Sequence, residues 1–195
     1  MEPELNPAFW NERYQKNETD WDMGSVSAPL KEYFDSLKDK KLRILIPGAG
    51  NSYEGEYLLQ KGFTKVTMLD YAPEAIAGFK KRVPHYKKAT LLCEDFFTHK
   101  GQYDLIIEQT FFCALSPELR PAYATKMCRL LKSAGKLAGL LFTTTPNENG
   151  PPFGGSREEY QTLFQEHFII QKLEPCYNSV KPREGSELFF ILKRK

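Results

Sequence analysis

Gly48 and Gly50 flank one alanine directly after an apolar run, and Asp70 follows Gly50 by 20 residues. Two glycines there permit a tight turn and let the backbone approach a ligand closely. An acid at that distance, closing the next apolar run, is placed to accept both hydroxyls of a ribose. Glu94-Asp95-Phe96 and Glu108-Gln109-Thr110 close two more such runs. The Asp95 carboxylate can accept from the exocyclic amine of an adenine, with the Phe96 backbone N–H meeting a ring nitrogen. Together these positions suggest the binding of a nucleoside.

The glycine pattern narrows the choice. A dinucleotide turn reads GxGxxG, its third glycine letting helix and strand pack closely. Here Gly48-Ala49-Gly50-Asn51-Ser52 runs into Tyr53, so the third glycine is missing. A pyrophosphate also gains from a helix N-terminus free of negative charge, whereas this helix opens with Glu54 and Glu56. S-adenosylmethionine fits better: an adenosine without phosphate, bearing an ammonium and a sulfonium. A nicotinamide-dependent oxidoreductase and a binding module without turnover stay open as alternatives.

The elements that must position these residues alternate. Residues 42–47, 65–70, 90–93, 103–108 and 136–142 read as strands, the first a short apolar run of the buried parallel type. Helices are expected at 54–61, closed by Gly62, and at 74–82 behind Pro73. Another is expected to open at Ser116 and Pro117, and one capped by Ser156 to run to 166. A loop rich in Pro and Gly covers 146–155. Residues 168–173 and 187–193 are β-rich with no helix between them, which makes an antiparallel pair. The resulting fold class is α/β: a Rossmann-like, doubly wound, mostly parallel sheet of seven strands with a C-terminal antiparallel pair. In such sheets ligands sit beyond the carboxyl ends of the strands.

Composition bounds the rest. The 195 residues suit a single domain (1–195), with 1–40 as an N-terminal helical segment and 41–195 as the catalytic sheet. Lys and Arg total 27 against 25 Asp and Glu, in short dispersed clusters (38–41, 80–82, 87–88, 193–195). That balance argues against a nucleic-acid partner. No apolar run approaches the ~20 residues of a membrane span, and nothing at the start resembles a secretory signal, so a cytoplasmic protein is expected. Cys93, Cys113, Cys128 and Cys176 form no CxxC pair and sit at no metal-ligand spacing with His85, His99 or His167. Reduced thiols and no metal are expected. No long apolar edge demands a partner chain, which favours a monomer.

Phe9-Trp10-Asn11-Glu12-Arg13-Tyr14 and Asp20-Trp21-Asp22 precede the first strand. With Gly48-Ala49-Gly50, Leu69-Asp70, Cys93-Glu94-Asp95-Phe96, the run 109–115 and Gly150-Pro151-Pro152-Phe153, they resemble the thiopurine S-methyltransferase family, closer to its thiol and halide branch. The C-terminal pair likewise resembles the seven-stranded methyltransferase sheet. The resemblance implies a methyl transfer from S-adenosylmethionine to a small acceptor such as a thiol, halide or thiopurine. It implies that Trp10, Tyr14 and Trp21 fold over the cofactor, where aromatic faces attract a sulfonium. It implies further that Gly48, Gly50, Asp70, Glu94, Asp95, Phe96 and Gln109 line the cofactor pocket, with Phe112 and Phe153 on the acceptor side. Gln109 stands where thiopurine-specific relatives carry arginine, which removes a fixed positive charge from that position. A soft anion needs no general base, so no catalytic acid or base is assigned, and Cys113 reads as buried filler.

Overall fold

Residues 5–83, 89–143 and 150–195 are described in a computed structural model. The chain divides into two compact units, Met1–His99 and Lys100–Lys195.

The first unit holds α1 (Pro7–Lys16), α2 (Ala28–Ser36), β1 (Arg43–Pro47), α3 (Tyr53–Gln60), β2 (Lys65–Asp70), α4 (Pro73–Arg82) and β3 (Ala89–Cys93). β2 pairs in parallel with β1 and β3, setting Pro47 opposite Leu69 and Asp70 opposite Cys93. That register brings three strand ends level, which is why the residues just past them can share one site. The core is made by Ile44, Leu45 and Val66 of the strands, with Leu58 and Phe79 of the helices packed over them. Pro73 sits in the first turn of α4, where a missing N–H costs nothing. Gly62, at φ +87°, follows the last turn of α3 as expected of a glycine stop.

The second unit holds β4 (Tyr103–Glu108), α5 (Arg120–Leu130), β5 (Leu131–Phe142), α6 (Arg157–Phe164), β6 (Phe168–Pro175) and β7 (Glu187–Arg194). β4 and β5 are parallel, while β7 is antiparallel to both β5 and β6. All seven strands form one sheet in the order β3-β2-β1-β4-β5-β7-β6, mostly parallel and ending in the expected antiparallel strands. Gly139 is required by close approach: a Cβ there would collide with the Glu108 carbonyl oxygen on the neighbouring strand.

Two expectations need correction. The helix expected to open at Ser116 begins with a 3₁₀ turn, Pro117–Leu119, and becomes α-helical only at Arg120. Ser116 caps nothing; its hydroxyl donates to the Glu118 carboxylate instead. β5 begins at Leu131 rather than 136, but its pairing jumps from Leu131 opposite Tyr103 to Lys136 opposite Leu105. Residues 132–135 bulge out between, with Ala134 at φ +58°. The continuous ladder does start at Lys136. Residues 146–149 of the expected loop lie outside the described residues, as do His85, Lys87 and Lys88. No helix among the described residues is long and apolar enough to cross a membrane.

Candidate active site

The turn after β1 is built for close packing. Gly48 and Gly50 take φ +56° and +52°, and Ser52 takes +50°. The Ala49 N–H donates to the Leu69 carbonyl at 2.9 Å, tying the turn to the end of β2. The Gly50 N–H donates to Asp70 Oδ2 at 2.8 Å, and the Ala72 N–H to Oδ1 at 2.9 Å. Asp70 is thus a buried carboxylate, 6% exposed, held from both sides by backbone donors. Burial pushes its pKa up, while the Ala72, Gly50 and Tyr71 N–H groups pull it back down. A carboxylate has about four lone-pair sites, so capacity remains for hydroxyl donors from a ligand.

The N-terminal segment packs onto this turn. Asn6 caps α1, accepting from the Phe9 N–H at 3.0 Å, and Asn17 ends it in the left-handed conformation. Asn11 accepts from the Glu74 N–H at 3.0 Å, so α1 satisfies an orphan donor at the start of α4. The Tyr71 hydroxyl donates to the Leu5 carbonyl at 3.0 Å. Trp21 packs edge-to-face on Trp10, with ring centroids 5.4 Å apart, and on Tyr14 at 5.8 Å. The Tyr14 hydroxyl, which Trp21 also hydrogen-bonds, lies 2.8 Å from where a Cβ on Gly50 would stand. Burial first, and then the Asp70 charge, hold the Tyr14 phenol well above its ordinary pKa. Asp22 accepts from the side chains of Asn51 and Tyr53, fastening the segment to the start of α3.

Beyond β3 the chain turns around Asp95. Its Oδ1 accepts from the Phe97 N–H at 2.9 Å, and its carbonyl accepts from the Thr98 hydroxyl at 2.9 Å. Asp95 is exposed, whereas the Phe96 ring is buried against Phe97, 5.2 Å away. The Glu94 N–H donates to the Asp70 carbonyl at 3.1 Å, and Glu94 Oε1 meets Nδ1 of buried His99 at 2.5 Å. The sequence gives His99 no role; its five-residue spacing from Glu94 is the only signal. Trp10, Tyr14, Trp21, Gly48, Gly50, Asp70, Glu94, Asp95 and Phe96 therefore all belong to the first unit.

The acids at the start of α3 are engaged. Glu54 is buried and accepts from the Ser27 N–H at 3.1 Å. Glu56 pairs with Arg82 at 3.1 Å, and Arg82 also donates to the Asn51 carbonyl. Arg82 thus offsets one of the two charges that argue against phosphate. The case for a phosphate-free ligand rests more on Glu54, the missing glycine and the aromatic cover.

Gln109, Phe112 and Phe153 belong to the second unit. Glu108, which ends β4 and is fully buried, organises the turn beyond it. Its Oε1 accepts from the Phe111 and Phe112 N–H groups at 2.8 and 2.9 Å, and Oε2 accepts from the Tyr123 hydroxyl at 2.5 Å. Burial raises its pKa to about 7 against these donors. The Phe112 ring is buried, 5.0 Å from Tyr123 and 5.7 Å from Tyr160, so it forms part of this unit's interior. The Phe153 N–H donates to the Cys113 carbonyl at 2.7 Å. Cys113 is buried as expected, and burial together with the Glu108 charge pushes its thiol far up. The sequence marks Glu108 only as the end of a strand and gives no sign of Arg120, whose Nη2 donates to the Gly154 carbonyl at 2.7 Å.

Comparison with known proteins identifies the relatives of this chain. The thiopurine S-methyltransferase family profile matches residues 5–189. Arabidopsis thaliana "Probable thiol methyltransferase 2" is 31% identical, over 91% of this chain and 81% of its own. Brassica oleracea "Thiocyanate methyltransferase 1" is 30% identical over the same shares. A crystallised Burkholderia thailandensis 1,6-didemethyltoxoflavin-N1-methyltransferase shares the fold, with a TM-score of 0.77 at 16% identity, over 98% of this chain and 88% of that one.

Proposed function

The chain belongs to the thiopurine S-methyltransferase family of S-adenosylmethionine-dependent methyltransferases, and we propose that its acceptor is a small soft nucleophile, a thiol or a halide-like anion. Relatives named thiol and thiocyanate methyltransferases support that acceptor class. The hydride-transfer alternative falls with the family assignment.

The observation that carries the reading is the pinning of Asp70 to Gly50 beneath Tyr14. These residues fit the cofactor: a buried carboxylate with acceptor capacity left, a glycine turn with no room for a side chain, and aromatic rings nearby. S-adenosylmethionine, when bound, supplies an electrophilic methyl group on a sulfonium. Asp70 accepts the ribose hydroxyls and Asp95 the adenine amine. Trp10 and Trp21 shield the turn and offer aromatic faces to a positive charge. Glu94, steadied by His99, holds the loop after β3 in place. Holding two reactants in line supplies effective molarities of about 10⁵–10⁸ M, and a thiolate or halide needs no proton removed during transfer. Gln109 and Phe153 belong to the acceptor side of this scheme, whereas the Phe112 ring, expected there, packs inside the second unit against Tyr123 and Tyr160. We read the protein as a cytoplasmic monomer.

S-adenosylhomocysteine is expected to raise the melting temperature while NAD does not. Labelled S-adenosylmethionine is expected to methylate hydrosulfide, methanethiol, iodide or thiocyanate. Transfer to amines or alcohols alone would overturn the soft-acceptor reading, and the absence of any transfer would leave a binding module.

A further inference from the structure

Glu94 and Asp95 are neighbouring acids at the end of β3, both exposed, and a ligand amine there could meet either carboxylate. The loop they open closes on itself. The Asp95 carbonyl accepts from the Thr98 N–H at 3.1 Å, the Thr98 hydroxyl at 2.9 Å and the His99 N–H at 3.1 Å. Two side chains anchor it in the interior, Phe96 at 3% and His99 at 6% exposure. His99 Nδ1 meets Glu94 Oε1 at 2.5 Å, with the Glu94 side chain much the more exposed of the two. A carboxylate only accepts, so Nδ1 is the donor. The buried imidazole is thus the fixed partner, and the acid is what it holds. Asp95 is held differently: its Oδ1 accepts from the Phe97 N–H at 2.9 Å, and Oδ2 has no partner among the described residues.

We propose that His99 is a positioning residue for base recognition. By engaging Glu94 it leaves Asp95 as the one carboxylate that reads the exocyclic amine, and so makes the site select adenine over hypoxanthine. This rests on the adenine contact assigned to Asp95 above and names what sets its selectivity. Adenine presents an N–H donor where hypoxanthine presents a carbonyl oxygen, so a fixed acceptor attracts the first and repels the second. A site built around one hydrogen bond rejects the analogue that cannot make it. That rejection needs a preorganised acceptor. An unheld Glu94 would sample many rotamers and repel its neighbour's charge, and the loop would then meet either base with a mobile, hydrated pair of acids.

The test is calorimetry with S-adenosylhomocysteine and with S-inosylhomocysteine, which carries hypoxanthine in place of adenine. Wild type is expected to prefer the adenine compound by about 10- to 100-fold, the range for a hydrogen bond to a charged acceptor. His99→Leu and Glu94→Ala should each bring the two affinities within a few-fold of one another. The double variant should lose no more, because both changes break one bond. His99→Asn, whose Nδ2 can donate from about the same place as Nδ1, should keep most of the preference. A merely structural role for His99 would weaken both compounds alike and leave their ratio untouched. If His99→Leu does not fold, Glu94→Ala on the exposed side of the pair decides. A wild-type ratio in these variants, or no preference in wild type, overturns the inference. Wild type binding neither compound would instead overturn the cofactor site on which the inference stands.

Discussion

The Tyr14 hydroxyl occupies the space that a side chain at residue 50 would need, 2.8 Å from the nearest possible Cβ. Gly50 is therefore required twice, for φ +52° and for room. Gly50→Ala is expected to cost about 1–2 kcal/mol of stability, the penalty of a left-handed non-glycine residue, and to weaken S-adenosylhomocysteine binding. Tyr14→Phe in that background should restore part of the loss by removing the clashing oxygen. Denaturant midpoints of the two single variants and the double variant check this: additive losses would show that the contact does not matter.

Asp70→Asn should weaken S-adenosylhomocysteine by about 10- to 100-fold, the range for hydrogen bonds to a charged acceptor. The amide presents a donor where the Gly50 or Ala72 N–H, or a ribose hydroxyl, expects an acceptor. Isothermal calorimetry reads the affinity, and a near-unchanged value would remove Asp70 from the binding scheme.

The strands that came through intact from sequence to structure, 65–70 and 103–108, are short apolar runs whose ends are marked by acids and turn residues. The glycine turn and Asp70 were legible because spacing alone puts them at neighbouring strand ends. The aromatic leader was legible only through resemblance, since a helix with no fully buried residue leaves little periodic signal. Glu108 and Arg120 carried no legible role for a common reason. An acid at a strand end or an arginine at a helix start reads as solvated until tertiary packing buries it, and only distant parts of the chain supply the Tyr123 hydroxyl or the Gly154 carbonyl.

Ser156 and Ser116 form a matched pair in which one cap forms and the other does not. Ser156 accepts from the Glu159 N–H at 3.1 Å and donates its own N–H to the Glu159 carboxylate at 2.6 Å, a reciprocal box. Ser116 has Leu119 at the matching position and makes no such bond. Ser156→Ala should cost about 1 kcal/mol, and Ser116→Ala should stay within about 0.5 kcal/mol. Thermal melts of both variants check the contrast; equal losses would refute it.

Glu108 gives stability a pH dependence that a surface carboxylate would not. Its folded pKa of about 7 stands above its ordinary 4.5, so the native state holds a proton that the unfolded chain releases. Stability from this group is complete below pH ~4.5 and declines as pH rises to ~7, by up to about 3 kcal/mol at 1.36 kcal/mol per pH unit. The ionised form is tolerated at higher pH because the Phe111 and Phe112 N–H groups and the Tyr123 hydroxyl all donate to it. Glu108→Gln keeps an acceptor for the two N–H groups and loses the titration, so its denaturant midpoint should change less between pH 5 and 7.5 than that of wild type. Parallel pH slopes in the two proteins would show that Glu108 is not the titrating group.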